Sequence, residues 1–175
     1  MASSEPAGAL ELRRLRADEG LAYRAARLRA LEREPAAYGQ TLAEALSDPE
    51  QTWHDLATSV AGDDPRALFV VDRGDGVLGG TLYAALSEVP PHLGTLGAMW
   101  VDEDLRAQGW ADALMETVID WAVRWGAAGL SLWVATENER AQRLYARHGF
   151  APTGNIERWE ADGAARAAEE WYCAL

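Results

Sequence analysis

The hydrophobic pattern changes period several times along the chain, and each change marks an element. The run ALELRRL, Ala9 to Leu15, predicts a first strand. From Ala17 to Arg33 apolar residues recur at helical spacing, with Asp18 placed to cap the start and Pro35 to stop the helix. Tyr38 to Val60 predicts one or two short helices broken at Asp48-Pro49, because the residue before a proline is pushed out of helical geometry. Arg66 to Leu86 predicts two strands joined by a tight turn at Asp75-Gly76. Pro90-Pro91 interrupts. Leu93 to Val101 then predicts another strand, whose glycines mark a bulge or a close approach of backbone.

The second half alternates strand and helix. Leu105 to Gly126 carries a loop and then a long helix that starts near Gly109, on which Trp121 and Trp125 share a buried face. Leu130 to Ala135 predicts a strand with Leu130, Leu132 and Val134 on one side. Asn138 to His148 predicts a helix with Gly149 as its stop. Phe150 to Glu160 and Glu169 to Leu175 predict the last strands, with Ala161 to Ala168 a loop between them. This order implies a mixed α/β sheet domain rather than a bundle or a sandwich. No repeat or linker divides the chain, so residues 1–175 are expected to form one domain.

Composition narrows the reading. With 175 residues, 49% hydrophobic and 25% charged, the chain has the make-up of a folded domain that needs no staples. The single cysteine, Cys173, closes no internal disulfide. No apolar run reaches the roughly 18 residues of a membrane span, and the first residues lack the basic-then-apolar order of a secretion signal. Cytoplasm is the default expectation. The net charge of -12 repels nucleic acid unless a basic face exists. The arginines between Arg13 and Arg33 mostly recur within one amphipathic segment and read as a solvated helix face. Three histidines and one cysteine show no metal-ligand spacing, so no metal is expected. The eight tryptophans belong in cores, interfaces or ligand grooves.

The candidate chemistry begins where the strand before the long helix ends. Between Val101 and the helix lie Arg106, Ala107, Gln108, Gly109, Trp110 and Ala111. A helix start leaves backbone N–H groups unpaired, and with the helix dipole these bind phosphate or pyrophosphate. Gly109 permits close approach, Ala111 keeps the first turn open, and Arg106 adds a charged donor. The stretch is neither a three-glycine dinucleotide fingerprint nor a P-loop. Asp102, Glu103 and Asp104 are poor neighbours for a phosphate unless they turn to the far side.

Two segments together resemble the GCN5-related N-acetyltransferase superfamily. The first is the Arg106–Ala111 loop. The second is the apolar strand Leu130 to Ala135 followed by Asn138, Leu144-Tyr145 and Gly149-Phe150. Their joint spacing is more specific than either piece, and the match extends loosely over most of the chain. The resemblance implies a mostly antiparallel, splayed sheet flanked by helices and gripping acetyl-CoA or another acyl-CoA. It implies pyrophosphate on the backbone of Ala107 to Ala111 and pantetheine along Met99, Trp100 and Val101. It makes Asn138 a residue that orders the site and contacts the cofactor arm, and Tyr145 the acid that protonates the departing thiolate. The alternatives are a helix cap at Asn138 and a core tyrosine at Tyr145. Trp110 is expected to point outward and pack on the cofactor or a neighbouring helix, while its backbone N–H serves the turn.

The general base has no family signature here, since LGAMWV carries no acid. Glu88 at the end of the hairpin strand is the leading candidate, with His54 and His92 behind it. A water chain, or an amine that arrives neutral, needs no base. The expected reaction is acetyl transfer to a primary amine of a small molecule, and the negative surface favours a cationic one. An acyl carrier protein is the alternative donor, with Arg13, Arg14 and Arg16 as its docking patch. The rival classes are a module that senses coenzyme A without turnover and an interaction protein that uses its tryptophans as contacts. Pairing into a homodimer through the last strands is compatible with each.

Overall fold

A computed structural model describes residues 9–89, 92–161 and 163–175. Among them are seven strands: β1 (Glu11–Arg14), β2 (Arg66–Asp72), β3 (Leu78–Leu86), β4 (His92–Val101), β5 (Ala127–Ala135), β6 (Ala151–Ala161) and β7 (Ala164–Ala174). They form one sheet in the order β1-β2-β3-β4-β5-β7-β6. Every neighbouring pair is antiparallel except β4 and β5, which run parallel. A parallel pair needs a crossover. That crossover is α4 (Trp110–Arg124).

Each face of the sheet buries its own core. On one face Leu68, Val70, Leu78 and Trp100 meet α1 (Gly20–Arg33) and α3 (Glu50–Ala61), while α2 (Leu42–Ser47) adds Ala45. On the other, Phe69, Val71, Leu82, Leu130 and Leu132 meet α4, joined by Leu144 and Tyr145 of α5 (Glu139–Arg147). The period-2 pattern of β5 produces this split, with Leu130, Leu132 and Val134 buried and Trp133 exposed. The fold is the mixed α/β, mostly antiparallel sheet flanked by helices that the sequence implies.

The sheet parts in the middle. β4 and β5 pair from His92 opposite Ala127 to Leu96 opposite Leu132, and no further. Beyond that point β5 stays with β7, pairing through to Ala135 opposite Ala168. β4 stays with β3 through a register shift, with Thr81 opposite Trp100 but Tyr83 opposite Gly97. The extra residue sits at Ala98, whose φ of 53° is in the left-handed region. A bulge of this kind bends its strand. The Thr81 hydroxyl donates to the Ala98 carbonyl at 2.7 Å and so satisfies the displaced backbone.

Several expectations shift. Asp18 does not cap α1. Glu19 holds that position, and its carboxylate accepts from Arg13 at 2.5 Å and from the Arg16 N–H at 2.9 Å. The predicted loop Ala161–Ala168 is mostly strand, because β6 and β7 pair as far as Ala161 opposite Ala164. Alanine has little strand preference of its own, and the cross-strand ladder overrides it. Arg13 and Arg14 do not form an open patch. Arg13 joins Glu19 and Asp72, and Arg14 donates to the carbonyls of Val60, Asp64 and Arg66. The Pro90-Pro91 interruption and residues 1–8 lie outside the described residues. No helix among the described residues is long and apolar enough to cross a membrane.

The paired half of β4 and β5 is tightly packed at Gly94, where an added Cβ would collide with Cδ2 of Leu130 and lie 2.7 Å from Cδ2 of Leu86. Gly94→Val is therefore expected to lower stability by about 1–3 kcal/mol, the usual cost of overpacking. Urea denaturation followed by circular dichroism checks this, and an unchanged midpoint would refute the packing argument.

Candidate functional site

Where β4 and β5 part, a cleft opens between them. Its lining joins Leu96 to Val101 of β4 with Leu132 to Val134 of β5. The turn before α4 and one face of α5 close it, and Tyr38 comes from the opposite side. The enclosed volume is about 300 Å³.

The β4 edge presents backbone. The Trp100 ring is 3% exposed, packed in the core beneath α1 with Arg29 5.3 Å from its centre. The carbonyls of Met99 and Val101 take bonds from across the cleft. Tyr38 donates its hydroxyl to Met99 at 3.0 Å, and Arg106 donates Nε to Val101 at 3.0 Å. Arg106 is therefore turned back onto the strand, with its Nη2 on Glu34 at 2.5 Å. Glu34 also takes Arg140 at 2.7 Å, so one carboxylate ties β4, α5 and the end of α1 together.

The turn itself alternates conformations. Ala107 has φ 60° and Gly109, the residue before α4, φ 86°. Successive N–H groups in such a turn point into one concavity that suits an anion. No side chain caps the helix start, and a Cβ on Gly109 would meet nothing within 4 Å. The donors are thus left facing open space. Gln108 and Trp110 contribute no side chain to the cleft. Gln108 donates back to the Asp104 carbonyl at 2.7 Å, and Trp110 packs half-buried against the core. Asp102 and Asp104 turn away, bound by Arg73 at 3.0 and 2.7 Å, and Glu103 lines the same outer hollow.

Asn138 and Tyr145 both line the cleft. Asn138 is the cap of α5, its Oδ1 accepting from the Ala141 N–H at 3.1 Å. The Tyr145 ring is buried 6.2 Å from Phe150, and its hydroxyl bonds no other described residue. Burial pushes the phenol above its ordinary value, so it keeps its proton throughout the neutral range.

Glu88 is not in the site. It sits exposed just past β3, in the connection where Ser87 N–H reaches the Leu93 carbonyl. That is the closed end of the β4–β5 pair, about 20 Å of strand from Met99 at 3.3 Å per residue. Strand direction, which local sequence does not carry, decides this. His92 lies at the same end with Nδ1 2.8 Å from the Ser87 carbonyl, and His54 lies on α3. Neither lines the cleft. The carboxylates that do are Glu34 and Asp112, and both are held by arginine.

The residues that the sequence reading passed over are Arg140, Arg143 and Arg147. Their spacing puts them on one face of α5, and all three line the cleft. That spacing was the available signal, hidden by the strongly negative total charge. The tryptophans belong mostly to the cores. Trp53, Trp100, Trp121 and Trp171 are buried, Trp125 packs partly against the core, and Trp133 alone reaches 43% exposure. Among the described residues no group of three or more metal-binding side chains converges.

Asp112 in the first turn of α4 binds Arg147 at 2.9 Å and His148 at 3.0 Å. Burial pushes its carboxyl up, but these bonds outweigh burial and hold it below the usual range. Such a group stabilises the fold above its unfolded value, and the contribution is lost as pH falls through the folded one. Asp112→Asn should therefore cost under about 1 kcal/mol near neutrality, a difference that shrinks as pH falls below the usual carboxylate range. Paired melts across pH 2–7 check this, and a difference that grows toward acid would contradict it.

Comparisons with known proteins agree with this geometry. Residues 26–150 match the model of the Acetyltransferase (GNAT) family. An uncharacterised N-acetyltransferase of Mycobacterium tuberculosis is 36% identical over 91 residues, 52% of this chain and 57% of that protein, so little more than half of its length is matched. The mycothiol acetyltransferase of Beutenbergia cavernae is 28% identical over 132 residues, 75% of this chain and 41% of that protein. The solved structure of a GNAT-family acetyltransferase from Streptococcus pneumoniae shares the fold. It has a TM-score of 0.80 and 18% identity, over 95% of this chain and 99% of that one. With the match covering most of its length, and with the parted strands and the uncapped helix start in place, the chain belongs to the GNAT acetyltransferase family.

Proposed function

We propose that residues 1–175 act as one N-acetyltransferase unit, which moves an acetyl group from acetyl-CoA to the primary amine of a small molecule by direct attack. The observation that carries this reading is the half-open β4–β5 pair with the uncapped start of α4 at its mouth. The residues present fit the donor. The strand edge offers backbone groups for amides, the Gly109 turn offers space against N–H donors, and guanidinium groups stand beside it.

Acyl-CoA supplies a thioester whose carbonyl carbon accepts a nucleophile and whose sulfur departs as thiolate. The chain's part is to hold and to shift protons. The N–H groups of Ala107 to Ala111 hold the pyrophosphate, with Arg143 and Arg147 adding charge. The backbone of Met99 to Val101 aligns the arm, and a backbone N–H of β4 stabilises the oxyanion. Tyr145 gives its proton to the leaving sulfur while the amine nitrogen loses one to water, so the protons balance. Asn138 holds the start of α5 and with it the position of Tyr145. No side-chain base is assigned, because Glu34 and Asp112 are both tied to arginine.

Calorimetric titration of acetyl-CoA and of free coenzyme A tests the site. The parent chain is expected to bind both, and Gly109→Glu to bind at least about tenfold more weakly, a loss of about 1.4 kcal/mol. No binding by the parent would sink the reading. Tyr145→Phe is expected to lower kcat about 100-fold with little change in the KM for acetyl-CoA. Thiol release with an amine panel reads this, and an unchanged kcat would remove Tyr145 from the reaction.

A further inference from the structure

A second cavity of about 730 Å³ adjoins the first and shares Glu34, Ala37, Asn138 and Arg140 with it. It lies at the open end of the β4–β5 cleft. Its walls are the end of α1, the turn Pro35–Ala37, the start of α5 and the far end of the β6–β7 hairpin. Arg166 of β7 donates Nη1 to the Pro35 carbonyl at 2.6 Å, which ties the hairpin to that turn. Alanines at 36, 37, 135, 164, 165 and 167 keep the space clear of bulk.

The charges in this cavity oppose those of the whole chain. The chain carries -12, yet Arg33, Arg140, Arg158 and Arg166 line the space against Glu34 and Glu137. Glu34 is already matched by Arg106 and Arg140. Arg158 on β6 forms no ion pair or hydrogen bond among the described residues, so its guanidinium is available. Its neighbour Glu157 does not line this cavity; it lines, with Arg158, the adjoining hollow beside Trp133. A guanidinium is a planar fork that matches a carboxylate or a phosphate. A cleft with low-dielectric walls and an excess of one sign concentrates ligands of the other.

The geometry points to an acceptor that carries an anionic group, a carboxylate or a phosphate, held by Arg158 with its amine directed toward the parting of β4 and β5. This inference rests on the acetyltransferase reading and names the substrate class for it. It reverses the preference for cationic amines that the total charge alone suggests. A polyamine or an unmodified amino sugar would bring positive charge against Arg158.

The test is a paired acceptor panel with acetyl-CoA as donor, read by thiol release. Each pair differs only in the anionic group: amino acids against their amides, and aminoalkyl phosphates against the amino alcohols. The two sets separate carboxylate from phosphate. The anionic member of at least one set is expected to show a kcat/KM tenfold or more above its neutral partner, and the preference should shrink with added salt. Arg158→Gln should lower kcat/KM at least tenfold more for the anionic member than for the neutral one. Acetyl-CoA calorimetry on the same variant reports whether the donor site is intact. A chain that binds acetyl-CoA but prefers neutral or cationic amines, turns over no anionic amine, or ignores Arg158→Gln overturns this inference alone. A chain that binds no acetyl-CoA overturns the acetyltransferase reading beneath it.

Discussion

Everything in the cleft depends on two parallel strands that pair for only half their length. β4 and β5 are joined up to Leu96 and Leu132, and there each follows its outer neighbour. The cause is local. One extra residue at Ala98 bends β4, and left-handed backbone at an alanine costs on the order of 1–3 kcal/mol. The Thr81 hydroxyl and the ladder to β3 hold that strain in place. In exchange the sheet acquires an internal edge, a run of backbone lined by protein on both sides yet not covered by a strand.

The groups that meet at that edge are organised by few contacts. Glu34 reaches Arg106 and Arg140, and Arg106 reaches the Val101 carbonyl, so the end of α1, the turn before α4 and the start of α5 are coupled through one carboxylate. Asp112 does the same at the other end, joining the first turn of α4 to the last turn of α5. These contacts leave the α4 start uncapped and the Tyr145 hydroxyl without a partner among the described residues, which keeps the proposed donor site open. Net charge is a poor guide to such a site. The acidic residues lie largely elsewhere on the surface, while the arginines of α5 face the cleft.

Much of this was legible along the chain because it depends on local rules. Gly109 is readable because a positive φ at a helix start selects glycine, and Asn138 because it caps a helix. Leu130, Leu132 and Val134 declare their face by alternation. The glycines of β4 hinted at a bulge, but its site at Ala98 was not readable, since only tertiary pairing imposes a left-handed alanine. Glu88 was misplaced because nothing near it says at which end of the sheet its strand stops. The hairpin of β6 and β7 was cut short because its alanines take their strand geometry from each other rather than from intrinsic preference.

The central claim is that the exposed edge of β4 and the turn before α4 together receive the donor. Hydrogen–deuterium exchange with and without coenzyme A reads those amides directly. The account predicts slowed exchange in peptides spanning Met99 to Val101 and Ala107 to Ala111, with β1 and β2 unchanged. Unaltered exchange at both segments, with protection appearing elsewhere under saturating ligand, would contradict it.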